Sequence, residues 1–213
     1  MSIAREGNNL LLLFGIATIL LLVGSIWRPQ PVMIGFCSLS TFLFLGTVYF
    51  FRDPERVPPD RPNVVVAPAD GTILAINTVD EKEYLGEKAN EVSIFLSVFD
   101  VHVNRVPISG NVEFCRYQPG TYYPAFSEKA SQNEQTVIGI TDGKLKIVVR
   151  QVAGILARRI VCYLKPGMAV ERGKRFGMIK FGSRTDLVLP LKVTIHVQPK
   201  QHVKAGETII GTY

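Results

Sequence analysis

Histidine is scarce in this chain: His102, His196 and His202 are the only three in 213 residues. No H-x-x-x-H or H-x-H spacing occurs. That removes the ligand clusters a zinc hydrolase requires, and no metal site is expected. No G-x-S-x-G elbow surrounds any serine, so the usual serine-hydrolase framework is missing too. Neither a dinucleotide-binding nor a phosphate-cradling glycine loop is present. The three cysteines, Cys37, Cys115 and Cys162, form no C-x-x-C pair. This argues against a zinc knuckle or a disulfide framework and for inert thiols in a reducing compartment.

Charge is nearly absent from the first 51 residues, where only Arg5, Glu6 and Arg28 occur. Leu10 to Trp27 are 18 uncharged, mostly apolar positions, and Pro31 to Phe51 are 21 more. About 20 apolar residues match the hydrocarbon thickness of a bilayer. Two such runs with a tight Arg-Pro-Gln joint predict a transmembrane helical hairpin over residues 1–51. A cleaved signal peptide would account for the first run but not the second. Arg5 precedes the hairpin, Arg52, Arg56 and Arg61 follow it, and only Arg28 lies in the turn. The excess of flanking cations places both ends, and the domain that follows, on the cytoplasmic face of the cell's inner membrane.

Residues 52–63 read as a linker, because four prolines in twelve positions forbid a regular helix. Residues 64–213 then alternate with a period of two in short β-branched runs, punctuated by Asp70-Gly71, Ser109-Gly110, Asp142-Gly143 and Pro166-Gly167. A mainly β domain is expected. A short helix is an open alternative over 154–159. Val170-x-x-Gly173 is echoed by Val203-x-x-Gly206, a turn pattern typical of barrel-sandwich folds. The longest stretch without strand signal, Gln118 to Gln135, predicts a lid or binding loop. Its Tyr122, Tyr123 and Phe126 either lie against lipid chains and the membrane interface or plug the core.

Beyond residue 51 the chain holds 22 basic and 17 acidic side chains, a net +5. Between Arg158 and Arg184 stand eight Lys or Arg and a single acid, Glu171. For a domain tethered to a bilayer, such a patch suits anionic lipid rather than nucleic acid.

Within that patch lies Gly182-Ser183. Glycine leaves its carbonyl unshielded and tolerates strained backbone. The next residue's hydroxyl can reach that carbonyl, so the bond is a candidate for self-cleavage at Gly182 by Ser183. Elimination from the resulting ester would leave a pyruvoyl group, an electron sink made from the chain itself. Asp70, in the turn Ala67-Pro-Ala-Asp-Gly71, and His102, in Asp100-Val-His-Val-Asn-Arg-Val-Pro107, are candidates to activate Ser183 as base and orienter.

These segments together resemble one family: phosphatidylserine decarboxylase proenzymes of the short prokaryotic branch. The resemblance rests on P-A-D-G (68–71), D-V-H-V-N-R-V-P (100–107), A-R-R-I-V-C (157–162) and R-F-G-M-I-K-F-G-S-R-T-D (175–186). It implies autocatalytic serinolysis between 182 and 183, giving a β chain 1–182 and an α chain 183–213. It further implies a covalent pyruvoyl cofactor derived from Ser183, and decarboxylation of phosphatidylserine to phosphatidylethanolamine at the membrane. The two fragments would stay together as a heterodimer, with a homodimer of these an open further state. Catalytic roles fall on Ser183, His102 and Asp70. Longer bacterial members carry D-x-H-x-x-H, whereas the second histidine position is Arg105 here. A guanidinium there suits the substrate carboxylate or phosphate. Two rivals stay open: a membrane-anchored barrel-sandwich adaptor or biotinyl/lipoyl carrier modified on Lys180, and a lipid-binding module without catalysis.

Overall fold

The computed structural model describes residues 2–155, 159–180 and 182–213. Two compact units divide the chain, residues 1–55 and residues 56–213. In the first, the apolar runs form helices α1 (Asn8–Trp27) and α2 (Pro31–Phe50). Pro29 and Gln30 interrupt them, and Pro31 opens α2 at a position where its missing N–H costs nothing. Both helices are long and apolar enough, by length and composition, to cross a membrane. Thr18 and Ser40 share a hydrogen bond of 2.8 Å between the helices. Short strands β1 (Ser2–Ile3) and β2 (Arg52–Asp53) pair the two ends of this unit.

The second unit is mainly β. Its strands are β3 (Val64–Val66), β4 (Gly71–Glu81), β5 (Glu87–Leu96), β6 (Val103–Arg105), β7 (Gly110–Gln118), β8 (Gln135–Thr141) and β9 (Lys146–Val152), followed by β10 (Ile160–Cys162), β11 (Ala169–Val170), β12 (Arg175–Ile179), β13 (Ser183–Pro190), β14 (Thr194–Ile195), β15 (His202–Val203) and β16 (Ile209–Thr212). Among the described residues, an eight-stranded antiparallel sheet runs β11-β7-β8-β9-β13-β5-β4-β15 and curls into a half-barrel. Two three-stranded sheets, β10-β12-β6 and β14-β16-β3, accompany it.

Strand periodicity explains the layering. Along β13, Leu187 and Leu189 face the main core with Val92, Ile94, Ile138, Ile140, Ile147 and Val149. Val188, one residue out of phase, packs on the opposite face with Ala89, Val137 and Val148 beneath Tyr84 and Phe114. Each such side chain withdrawn from water contributes about 1.5–3 kcal/mol. Ser183 and Thr185 share the parity of Leu187, so they belong to the main-core face.

β13 also shows where local polarity misleads. Arg184 and Asp186 give the segment a charged appearance, yet all eight residues are buried. The two side chains pair with each other, Nε to Oδ1 at 2.9 Å. Strand β7 has no β-branched run to announce it, because Glu113, Arg116 and Gln118 alternate with Val112, Phe114 and Cys115 around a bulge. The β-branched run over 193–197 forms strand at Thr194–Ile195. The short helix expected over 154–159 rests on 156–158, which lie outside the described residues, as does Arg158 of the basic patch. The two V-x-x-G turns meet: Gly173 and Gly206 adopt φ of 80° and 75°, and a Cβ on Gly206 would lie 3.4 Å from the Gly173 α-carbon.

Candidate active site

Gly182 stands immediately before β13 with φ of 63°, in the left-handed region that side-chain-bearing residues avoid. Space at its would-be Cβ is open, so backbone conformation rather than crowding calls for glycine. Ser183 then starts the strand opposite Leu96 of β5. It is fully buried, and among the described residues its Oγ has no hydrogen-bond partner. Burying a hydroxyl without a partner costs about 1–3 kcal/mol, and buried orphans of this kind need an explanation.

His102 is also fully buried, between the β5–β6 turn and the start of β6. Its Nδ1 lies 3.0 Å from the Asp100 carbonyl oxygen, which can only accept, so Nδ1 carries the proton. Nε2 is therefore left with its lone pair, and it accepts from the Gly182 N–H at 3.4 Å. The imidazole thus touches the peptide nitrogen one residue upstream of the Gly182–Ser183 bond. Asp100 is held in turn, one carboxylate oxygen by the Ser97 N–H at 2.8 Å and the other by His202 Nε2 at 3.0 Å. Partial burial pushes the Asp100 carboxyl upward, but the bonds from His202 and Ser97 outweigh it and leave its pKa lowered.

On the other side of the bond, Gly154 approaches the Gly182 carbonyl, and a Cβ there would stand 2.1 Å from the oxygen. The same Cβ position lies 3.3 Å from Ala125 of the 118–135 loop. That loop is closed by buried Asn133. Its amide oxygen accepts from the Tyr123 N–H at 2.7 Å, and its nitrogen donates to the carbonyls of Tyr123 and Ala153, both at 2.8 Å. Tyr122 donates to Glu134. Phe126 is exposed, with its ring edge-on to Phe95 at 6.1 Å. Tyr123 is partly buried beneath Lys129.

Asp70 occupies its expected turn, but its oxygens are engaged by other groups. Arg56 holds Oδ2 at 2.8 Å and the Ala205 N–H holds Oδ1 at 2.7 Å. Burial raises its pKa, against the lowering effects of Ala205 and Arg56, while the nearby Asp100 charge raises it further. Arg105 is buried and donates to the Gly173 carbonyl at 2.8 Å, while its N–H bonds the Pro68 carbonyl. The fold thus brings His102, Gly182 and Ser183 together. It links Asp70 to Arg56, which also holds Glu207, and Arg105 to a V-x-x-G turn.

Several neighbours escaped the sequence reading. Asn104 is fully buried, donates to Thr185 Oγ1 at 3.3 Å and accepts from Gln151 Nε2 at 2.8 Å. The Gln151 Oε1 has no partner among the described residues. Arg56 was concealed in the proline-rich linker. The one available signal, an Asn directly between two recognised positions in H-V-N-R, does not by itself separate a strand residue from a site residue.

A family model for phosphatidylserine decarboxylase matches residues 43–211. A phosphatidylserine decarboxylase proenzyme from Chlorobium limicola is 48% identical over 185 residues, 86% of this chain and 87% of that one. The protein of the same name from Chlorobium phaeobacteroides is 51% identical over 175 residues, 82% of each chain. The one from Desulfotalea psychrophila is 41% identical over 215 residues, 98% of this chain and 95% of its own. Matches of this extent leave the carrier and adaptor readings without support. The chain belongs to the phosphatidylserine decarboxylase family.

Proposed function

We propose that this chain is made as a proenzyme, cuts itself between Gly182 and Ser183, and then decarboxylates phosphatidylserine to phosphatidylethanolamine. Family membership supports the reaction. The single observation favouring this bond is the buried Ser183 hydroxyl, without a hydrogen-bond partner among the described residues, beside a left-handed Gly182 that donates to His102.

In the first step Ser183 Oγ attacks the Gly182 carbonyl carbon, and its proton passes to a base. His102 has an unprotonated Nε2 at the adjacent peptide and is the candidate. The peptide nitrogen takes up a proton as the C–N bond breaks, converting amide to ester. Loss of the Ser183 α-hydrogen then expels the Gly182 carboxylate. Water replaces the resulting enamine nitrogen, which leaves as ammonia. The products are a β chain 1–182 and an α chain 183–213 that stay associated. Residue 183 fits the precursor of a pyruvoyl group, because its hydroxyl is unengaged among the described residues and walled from bulk water. The group supplies an electron-accepting carbonyl for the departing carboxylate.

His102 serves proton transfer in both stages. Asp70, with a raised pKa beside Asp100, is a second proton-handling group. Arg105 is the proposed partner of the substrate carboxylate or phosphate. Tyr122, Tyr123 and Phe126 lie along the path of the acyl chains. Residues 1–51 form the transmembrane hairpin, residues 52–63 the linker, and residues 64–213 the catalytic domain, with a barrel-sandwich character suggested by its paired V-x-x-G turns. The flanking arginines favour the cytoplasmic face. Intact mass of active protein tests the whole reading: two fragments are expected, the 31-residue one blocked and reactive toward carbonyl reagents, and an unbroken 213-residue chain overturns it.

A further inference from the structure

Three separate segments converge on the Gly182–Ser183 bond, and each leaves a large apolar side chain in water. The turn after Leu96, the residue opposite Ser183, carries Phe99 at 71% exposure with Val98 beside it. The 118–135 loop carries Phe126 at 68%, propped edge-on against Phe95, whose strand partner is Arg184. Ile155, 53% exposed, follows the glycine that abuts the Gly182 carbonyl. The parts of these side chains left in water gain nothing from burial, and large apolar side chains exposed on segments that meet at one site mark an interaction surface. Cations border them. Lys129 and Arg159 are exposed, the Lys180 N–H bonds the Arg159 carbonyl two residues before Gly182, and Glu128 is an exposed acid beside Lys129.

We propose that this rim, built on Phe99, Phe126 and Ile155, inserts into the interfacial layer of an anionic bilayer and seats the mouth of the site among lipid head groups. The proposal rests on the phosphatidylserine reading and adds the surface through which the substrate enters. A two-chain lipid pays heavily to leave the bilayer, about 0.8 kcal/mol per methylene exposed. Residue 183 is fully buried, so a head group reaches it only when the opening sits at head-group depth. Apolar tips on loops with lysine and arginine around them match that depth: the rings enter the acyl boundary and the cations meet phosphates and carboxylates.

The test uses the full chain in phosphatidylserine-containing vesicles. Trp27, the one native tryptophan, is replaced as Trp27→Phe to clear the background. Phe99→Trp or Phe126→Trp is then introduced, and quenching by lipids brominated on the acyl chains is measured. Leu191→Trp is the control, an exposed position eight residues along from Ser183, roughly 26 Å at strand rise. The two rim tryptophans are expected to lose at least half their emission and the control to stay within a tenth of its bromine-free value. Rim tryptophans quenched no more than Leu191→Trp overturn the proposal. So does emission already shielded in detergent and unchanged in vesicles, which would assign the rim to a second copy of this chain. Correct folding is read independently from the native circular dichroism spectrum. Quenching needs neither cleavage nor turnover. Quenched rim tryptophans in a protein that forms no phosphatidylethanolamine would leave the surface standing and remove the activity, and the reverse result would do the opposite.

Discussion

Gly154 approaches the Gly182 carbonyl so closely that a methyl group on it would stand 2.1 Å from the oxygen. Real Cβ atoms do not tolerate such contacts, so Gly154→Ala must displace either the 154–155 backbone or the Gly182 carbonyl. A displacement near 1 Å at a reacting atom costs on the order of 100-fold in rate. Self-cleavage of Gly154→Ala is expected to slow at least tenfold, read as full-length chain on a denaturing gel over time. Processing at the wild-type rate would show that this contact does not set the position of the carbonyl.

Ser183 and His102 are separable by what each variant leaves behind. Ser183→Ala removes the nucleophile and is expected to give one uncut 213-residue chain with no carbon dioxide release. His102→Ala removes the group whose Nε2 faces the Gly182 amide, and decarboxylation is expected to fall at least 100-fold. Full activity in His102→Ala would take that residue out of the site.

Acid should loosen the turn that orients His102. Asp100 has a folded-state pKa below its ordinary 3.8, because hydrogen bonds from His202 and Ser97 overcome the effect of burial. The unfolded chain therefore binds that proton more tightly, and the stabilisation is fully present above about pH 4 and lost as pH falls through the folded value. Asp70 has a raised pKa and contributes with the opposite sign, losing stability as pH rises. Asp100→Asn is expected to flatten the acid limb of the pH–stability curve. An unchanged acid limb would assign it to other carboxylates.

The relation between sequence and structure differs by element. Both apolar helices were legible because 18 or more uncharged residues in a row admit few other folds. β9 was legible as a strand because Ile147, Val148 and Val149 advertise burial on both faces. β7 was not, because one of its faces is wet. Gly182-Ser183, Asp70 and His102 were recognisable as motifs. Their partners were not, since Arg56, Gly154 and Ala205 come from distant segments, and contacts such as Arg56 to Asp70 depend on how the sheets close rather than on any local pattern. Arg184 and Asp186 give β13 a charged appearance without exposure, because pairing makes charge compatible with the interior.

The buried amides beside Thr185 should act as a unit. Asn104 bridges Thr185 and Gln151, and neither amide is exposed. Asn104→Leu removes one of the two acceptors of the Gln151 amide nitrogen, leaving the Val161 carbonyl, and takes the donor from Thr185 Oγ1; it is expected to cost about 1–3 kcal/mol. Gln151→Leu should cost less, since it also removes an acceptor that has no partner among the described residues. The double variant is expected to fall short of the sum of the singles by 0.5 kcal/mol or more, the sign of a shared network. Additive losses in denaturant unfolding would show the two residues to be independent.

Arg184 and Asp186 offer a last comparison, made in the Ser183→Ala chain so that cleavage does not change the molecule being unfolded. Asp186 is 1% exposed and paired with Arg184 at 2.9 Å, with Glu91 and Arg150 on the neighbouring strands of the same face. Glu91 is already held above its ordinary pKa by burial and by the Asp186 charge, so the face has little tolerance for a further unpaired anion. Arg184→Leu leaves Asp186 uncompensated and is expected to destabilise by about 3–5 kcal/mol. Replacing both, as Arg184→Leu with Asp186→Leu, removes the stranded charge and should recover most of that loss. For a unit of this size each kcal/mol moves the melting midpoint by about 2–4 °C, so the single variant should melt near 10 °C lower and the double variant within a few degrees of the parent. A double variant that melts as low as the single would mean that the ion pair adds net stability of its own, and that β13 depends on its charges rather than merely accommodating them.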